Sequence, residues 1–392
     1  MAKKIIISTT VLIITLYCLL VFLVQPIVEK SKNKVVQHKP YIISPKVKKI
    51  HENLVIADWH NDSLLWARDL TKRSSYGHVD IPRLIEGNVA IQMFTAVTKS
   101  PKGQNYKKNT GDFDNITLLS AVQLWPAATW TSLTKRALYQ ANKLHKFAAK
   151  DPDRLSVVKS KKELINALSK QKVRKKEGNG MVIGLLGIEG LHALDGKIKN
   201  IKTLYDAGYR MMGLLHFFDN KVGGSLHGIS RKGLNDFGRN VVKRLNELSV
   251  IIDLAHSSPA VVKDVLKLST KPMVVSHTGV FGSYNSPRNI SDDLMKKIAK
   301  KGGLIAIGYW AGAIGDISPK NVVKSIRYAI DLVGEDHVAL GSDFDGSVKT
   351  SFDTSEIAVI TQEMVKSGFT QIEISKVMGK NSVNFLLENL PE

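Results

Sequence analysis

From residue 53 onward the chain is a succession of short apolar runs, each closed by a polar or glycine-rich stretch. Eight such runs recur, at 54–58, 89–97, 181–187, 209–215, 250–254, 272–275, 303–308 and 337–341. Most are continuous Val, Ile, Leu, Ala and Met, the pattern of parallel strands covered on both faces. Segments of helical periodicity lie between them: 238–248, 259–268, 291–300 and 321–333 lead into the last four runs. Ser291, followed by Asp292 and Asp293, marks a helix start. Strand and helix alternating in this way predict an α/β fold, a (β/α)8 TIM-type barrel, with a doubly wound open sheet as the structural alternative. The connection 99–179 is too long for a simple crossover. It holds helical sequence around 118–144 and a basic stretch at 170–176, and is expected to be a helical insertion on the barrel.

The N-terminal pattern is different. Residues 5–24 are apolar apart from a few Ser and Thr, and Lys3 and Lys4 precede them. About 20 such residues suffice to cross a ~30 Å hydrocarbon core as a helix. A cleaved signal peptide is the rival, but Val21 to Pro26 offers no small-residue cleavage site. The expected organisation is a signal anchor (1–28), a basic tether (29–50) and a catalytic barrel (51–392). Lys30, Lys32, Lys34, Lys39, Lys46, Lys48 and Lys49 would lie near lipid headgroups, each contributing on the order of 1 kcal/mol. Lysines flank the span on both sides, and counting them alone favours a cytoplasmic body.

Composition narrows the chemistry. With 43% hydrophobic and 23% charged residues the chain has an ordinary globular make-up. Its one cysteine, Cys18, excludes an internal disulfide and a cysteine-rich zinc site. The net charge of +21 raises nucleic acid or an anionic membrane as a partner. The lysines are scattered and no nucleic-acid motif appears, so a solvated basic surface is the reading adopted and no nucleic-acid partner is expected.

The polar residues closing the runs carry the functional signal. The first run leads to His60 and Asp62, the third to Glu189, the fourth to His216, the fifth to His256, the sixth to His277 and the eighth to Asp343. In a parallel barrel these ends share one face. His-x-Asp places two side chains on the same side of an extended segment. His60 and Asp62 would then hold one cation, His256 and His277 a second, and Glu189 would bridge the two. Nitrogen and carboxylate donors suit two Zn²⁺ ions first, with Mn²⁺ or Co²⁺ as substitutes. Any one of these histidines alone is more simply a hydrogen-bonded structural residue, as expected for His51, His145 and His192.

The segments VIADWHND (55–62), GIEGLH (187–192), YRMMGLLH (209–216), the stretch 233–256, VVSH (274–277), SPRNISD (286–292) and GSDFDG (341–346) resemble those of the membrane dipeptidases, or renal dipeptidases, over residues 53–390. The resemblance implies a binuclear zinc peptidase in which a metal-bridging hydroxide attacks the peptide bond of a dipeptide. It further implies that His216 contacts the substrate and stabilises the oxyanion. Arg288 would pair with the substrate's C-terminal carboxylate, and Asp343 would hold the water and pass its proton to the leaving amine. Family habit places the body outside the cytoplasm, in a periplasm or at a cell surface, and allows a homodimer. Trp59 stands where a glycine is common and is expected to narrow the cavity. The stretch 217–228 is similar to bacterial members, the family's disulfides are absent, and Tyr309 and Trp310 lie near the seventh run without an assigned role. Two other functions stay open. One is a related amide hydrolase acting on a β-lactam, cyclic amide or N-acyl amino acid. The other is an inactive barrel that binds envelope or nucleic acid.

Overall fold

The eight apolar runs become eight parallel strands in a computed structural model that describes residues 8, 9, 11, 12, 15, 17, 19 and 25–392. They are β1 (Ile56–Asn61), β2 (Val89–Val97), β3 (Val182–Glu189), β4 (Tyr209–Gly213), β5 (Ile251–Asp253), β6 (Val274–Thr278), β7 (Leu304–Ile307) and β8 (Val338–Leu340). Their order is β2-β1-β8-β7-β6-β5-β4-β3, and β3 pairs back onto β2 from Ile91↔Ile183 to Val97↔Glu189. The sheet therefore closes and leaves no edge along the ring. The closed barrel, not the open sheet, is the fold.

Helices Asp236–Glu247, Pro259–Leu268, Asp292–Lys300 and Pro319–Val333 occupy the predicted places. Their starts follow local chemistry. The Ser258 and Asn235 side chains accept from Val261 N and Gly238 N, and Pro259 and Pro319 sit in first turns, where a missing N–H costs nothing. The long insertion folds as helices Asn115–Val122, Ala128–Thr131, Leu133–Lys150 and Lys161–Lys176. A short strand, Leu155–Val157, also adds to the outside of β3.

Apolar residues form two main layers. One lies between strands and helices. The other fills the barrel interior with Ala57, Ile91, Ile183, Met211, Ile251 and Leu304, and is closed by Phe385 and Leu386 of helix Asn381–Asn389. Trp59 belongs to this interior layer. Its Nε1 donates to Ser382 Oγ (2.8 Å) and its ring meets Phe385 edge-on at 5.7 Å. It is absent from the cavity lining, so the expected narrowing does not occur: the side chain points away from the strand end that carries His60.

Residues 29–50, expected as a tether, lie folded against the barrel. Helix Gln25–Lys32 is followed by a two-residue strand, Lys34–Val35, paired in parallel with Lys349–Thr350, and then by helix Pro45–Glu52. The lysines face solvent, while Glu29, Asn33, Val47 and His51 are buried. The expected membrane span at 5–24 falls mostly outside the described residues. Among the described residues no helix is long and apolar enough to cross a membrane.

Candidate metal centre and substrate cavity

The carboxyl ends of the strands converge as a parallel barrel requires. Glu189, the last residue of β3, stands at the centre. Its Oε1 lies 3.1 Å from His256 Nε2, 3.3 Å from His277 Nε2 and 3.7 Å from His60 Nε2, and its Oε2 lies 3.1 Å from His216 Nε2. His60 Nε2 is also 3.4 Å from Asp62 Oδ1 and 3.9 Å from Asp343 Oδ1. Every one of these residues is buried. The eight predicted site residues thus come together: seven line one cavity of about 780 Å³, and His60 lies behind them, fully buried.

Local backbone geometry aims these groups. His256 and Asp343 adopt left-handed conformations, each with φ 60°, in which the chain turns sharply at the strand end. Such conformations cost on the order of 1 kcal/mol and persist where the surroundings over-determine them. Gly346 is required by close approach, since a Cβ there would sit 2.1 Å from Asp343 Oδ1.

A buried relay fixes the ring tautomers. Ser276 Oγ donates to Asp253 Oδ2 (2.7 Å), so its lone pairs are left to accept from His277 Nδ1 (3.0 Å) and His60 Nδ1 (3.3 Å). With protons on Nδ1, both rings turn an Nε2 lone pair toward Glu189, the orientation a metal ligand needs. Thr95 Oγ1 donates to Asp62 Oδ1 (2.6 Å) and holds that carboxylate.

The protein groups alone leave the site electrostatically unresolved. Burial pushes the Asp343 carboxyl up to about 8, with His60 opposing. Burial, reinforced by Asp62, raises Glu189 well above the ordinary range. Burial opposes charge on His60, but Asp62, Glu189 and Asp343 outweigh it and carry that ring up to about 10. His60 Nε2 is buried without a hydrogen-bond partner, and the Nε2 atoms of His256 and His277 face each other at 2.9 Å. Three acidic groups and converging ring nitrogens fit divalent cations. Three overlapping groups have ligand atoms within 4.8 Å of one another: His60, Glu189 and His277; Glu189, His216 and His256; and His60, Asp62 and Asp343.

This constellation coincides with a family match. The model of the membrane dipeptidase family, peptidase family M19, matches residues 45–388. The chain belongs to this family. Family membership carries metallopeptidase chemistry and a metal requirement. Among curated relatives, the dipeptidase verJ of Clonostachys rogersoniana is 26% identical over 352 residues, 86% of this chain and 84% of the relative. The dipeptidase ataJ of Aspergillus terreus is 23% identical over 385 residues, 88% and 87% of the two chains. A metallopeptidase from Rhodobacter sphaeroides, solved with a phosphinate mimic of L-Ala-D-Ala, has the same fold. Its TM-score is 0.69 at 22% identity, covering 86% of this chain and 99% of that one.

Arg288 is buried against the family's site. Its Nη2 donates to His277 O (2.9 Å), and its guanidinium carbon lies 5.3 Å from the Trp310 ring centre. Trp310 in turn donates from Nε1 to Tyr106 OH (2.8 Å). Trp310, left unassigned from sequence, is therefore a wall of the cavity, whereas Tyr309 packs on Phe344 and Phe352 away from it. Tyr106, Phe217 and the Asp253–Ser276 relay were not foreseen. Asp253 at the end of the fifth run was a visible polar residue in an apolar strand; Tyr106 sits in the long insertion, where no periodicity marks it.

Proposed function

We propose that the chain is a zinc-dependent dipeptidase with a binuclear centre. The observation that carries this reading is the single carboxylate, Glu189, shared by three histidine Nε2 atoms within 3.1–3.7 Å of its Oε1. His60 and Asp62 would hold one Zn²⁺, His256 and His277 the other, and Glu189 both. Two such ions supply Lewis acidity and lower the pKa of a coordinated water to near neutrality.

The remaining steps belong to side chains of this chain. Arg288 receives the substrate's C-terminal carboxylate, and the Trp310 ring restrains the plane of its fork. His216 contacts and stabilises the oxygen that gains charge as the peptide carbon becomes tetrahedral. Asp343 accepts the proton of the attacking water on a carboxylate oxygen and returns it to the leaving amine.

The test is a panel of L,L- and L,D-dipeptides, N-acyl amino acids and a β-lactam, assayed with zinc and with a chelator. Dipeptide hydrolysis that chelation abolishes and zinc restores is the expected result. Cleavage confined to the N-acyl or β-lactam substrates, or activity indifferent to chelation, overturns the reading. The apolar run 5–24 supports a membrane anchor, and the habit of the family supports a barrel outside the cytoplasm. Cleavage of the barrel by added protease in spheroplasts is expected, and protection overturns this placement.

A further inference from the structure

Beyond the ligand cluster, the cavity lining includes residues from 65–66 and 97–119 and two groups that carry a cation. Arg288, Trp310 and Tyr106 form one, joined by the contacts above. Val28 and Lys32, from helix Gln25–Lys32, belong to the other. This helix is held in place. Its buried Glu29 accepts from Arg68 Nε, Arg68 Nη2 donates to Asp345 Oδ2, and Ser347 N donates to Asn33 Oδ1 (2.9 Å). Asp345 and Ser347 lie in the turn that carries Asp343, so helix and catalytic turn are tied together. Gly346, Ser347 and Val348 of that turn line the same cavity.

The charges of the lining are uneven. Apart from Asp62, Glu189 and Asp343 it contains no carboxylate, and its two cations are Arg288 and Lys32. Lys32 is exposed, and no carboxylate of the described residues lies within 4 Å of its amine. We propose that helix Gln25–Lys32 is the substrate-selecting wall of the site, with Lys32 favouring dipeptides whose N-terminal residue has an acidic side chain. The inference rests on the dipeptidase reading. With the C-terminal residue held at Arg288, the N-terminal residue extends toward the rest of the lining, where Lys32 is the one charged side chain among the described residues apart from Asp62, Glu189 and Asp343. Helix Gln25–Lys32 offers there an exposed cation and no carboxylate.

The experiment compares kcat/KM for Glu-Ala and Lys-Ala in the full-length enzyme, in Lys32→Glu and in Glu29→Gln. Charge reversal at an exposed contact is expected to lower the Glu-Ala to Lys-Ala ratio by about tenfold, mainly through KM and less at high salt. Glu29→Gln releases the helix and is expected to pull the ratio toward one, with faster amide hydrogen exchange at 28–32. A ratio unmoved by Lys32→Glu, or a change confined to kcat, overturns the role of Lys32. Amides at 28–32 that exchange freely in the wild type overturn the wall itself, whatever the activity. A wild type that cleaves neither of these nor Ala-Ala fails the dipeptidase reading instead.

Discussion

At the end of the barrel where the strands begin, the interior is filled by Ala57, Ile91, Ile183, Ile251 and Leu304 beneath helix Asn381–Asn389, with Trp59 as the largest side chain. At the end where they finish, the same ring presents four histidines, Asp62, Glu189 and Asp343. Adjacent residues of one strand, Trp59 and His60, belong to opposite ends. The lower end has its hydrogen bonds made, as Trp59 Nε1 to Ser382 illustrates. The upper end holds an unpartnered His60 Nε2 and raised carboxyls. Apolar packing fills one end of the ring, and the cluster of buried ionisable groups stands at the other.

Asp343→Asn breaks the comparison most sharply. It removes the proposed proton carrier while keeping the shape of the side chain. kcat is expected to fall by about 10²–10⁴-fold, the usual scale for a general acid–base group. Zinc stoichiometry by plasma emission should stay at the wild-type value, which separates loss of chemistry from loss of the centre. The mirror experiment is Phe385→Ala at the closed end. Truncating this buried ring should cost about 3–5 kcal/mol in urea unfolding. The fraction that remains folded should keep its kcat, because Phe385 packs on Trp59 in the interior layer and does not line the cavity.

The two ends also differ in how far the sequence disclosed them. All eight strands and four helices follow from apolar periodicity, since that pattern reports burial against hydrophobic neighbours. Three strands run on past their predicted ends for the same reason: β1 through His60 and Asn61, β3 through Glu189, and β6 through Ser276, His277 and Thr278. Those residues are buried against other polar groups, which hydropathy reads as a loop. Ligand-type residues at successive strand ends made the site legible, because barrel topology alone brings them together. Residues 25–50 were not legible as structure. Their lysines mask a fold held by Glu29, Arg68 and Asp345, an ionic chain between residues remote in sequence that no local pattern encodes.

Arg288→Met tests whether the open end is built for a free carboxylate. Hydrogen bonds to charged groups are worth about 1.5–3 kcal/mol, so kcat/KM for a dipeptide should fall by roughly 10–100-fold. The loss should appear chiefly in KM. A dipeptide amide, which lacks the carboxylate, should be nearly indifferent to the substitution. Equal losses on both substrates would mean that Arg288 acts by supporting His277 and not by holding substrate.

His51 shows that the closed end is not free of titration. Its Nε2 donates to Gly87 O (3.1 Å), so Nδ1 of the neutral ring accepts from Thr361 Oγ1 (2.8 Å). Burial lowers this ring from 6.5 to about 4, with the Gly87 carbonyl opposing. The unfolded chain therefore binds a proton between pH 6.5 and 4 that the folded chain refuses. The contribution to stability is fully present above about pH 6.5, declines as pH falls, and levels off near 4 after a loss on the order of 3 kcal/mol. His51→Gln keeps a polar side chain beside Gly87 and Thr361 but removes the titration. Urea unfolding of the chelated protein across this window should give a shallower acid slope for the variant. The site histidines titrate alike in both proteins and cancel in the difference, as distant independent groups do. Parallel slopes would place all the acid sensitivity at the metal-binding end, and the closed end would then be electrostatically silent as well as tightly packed.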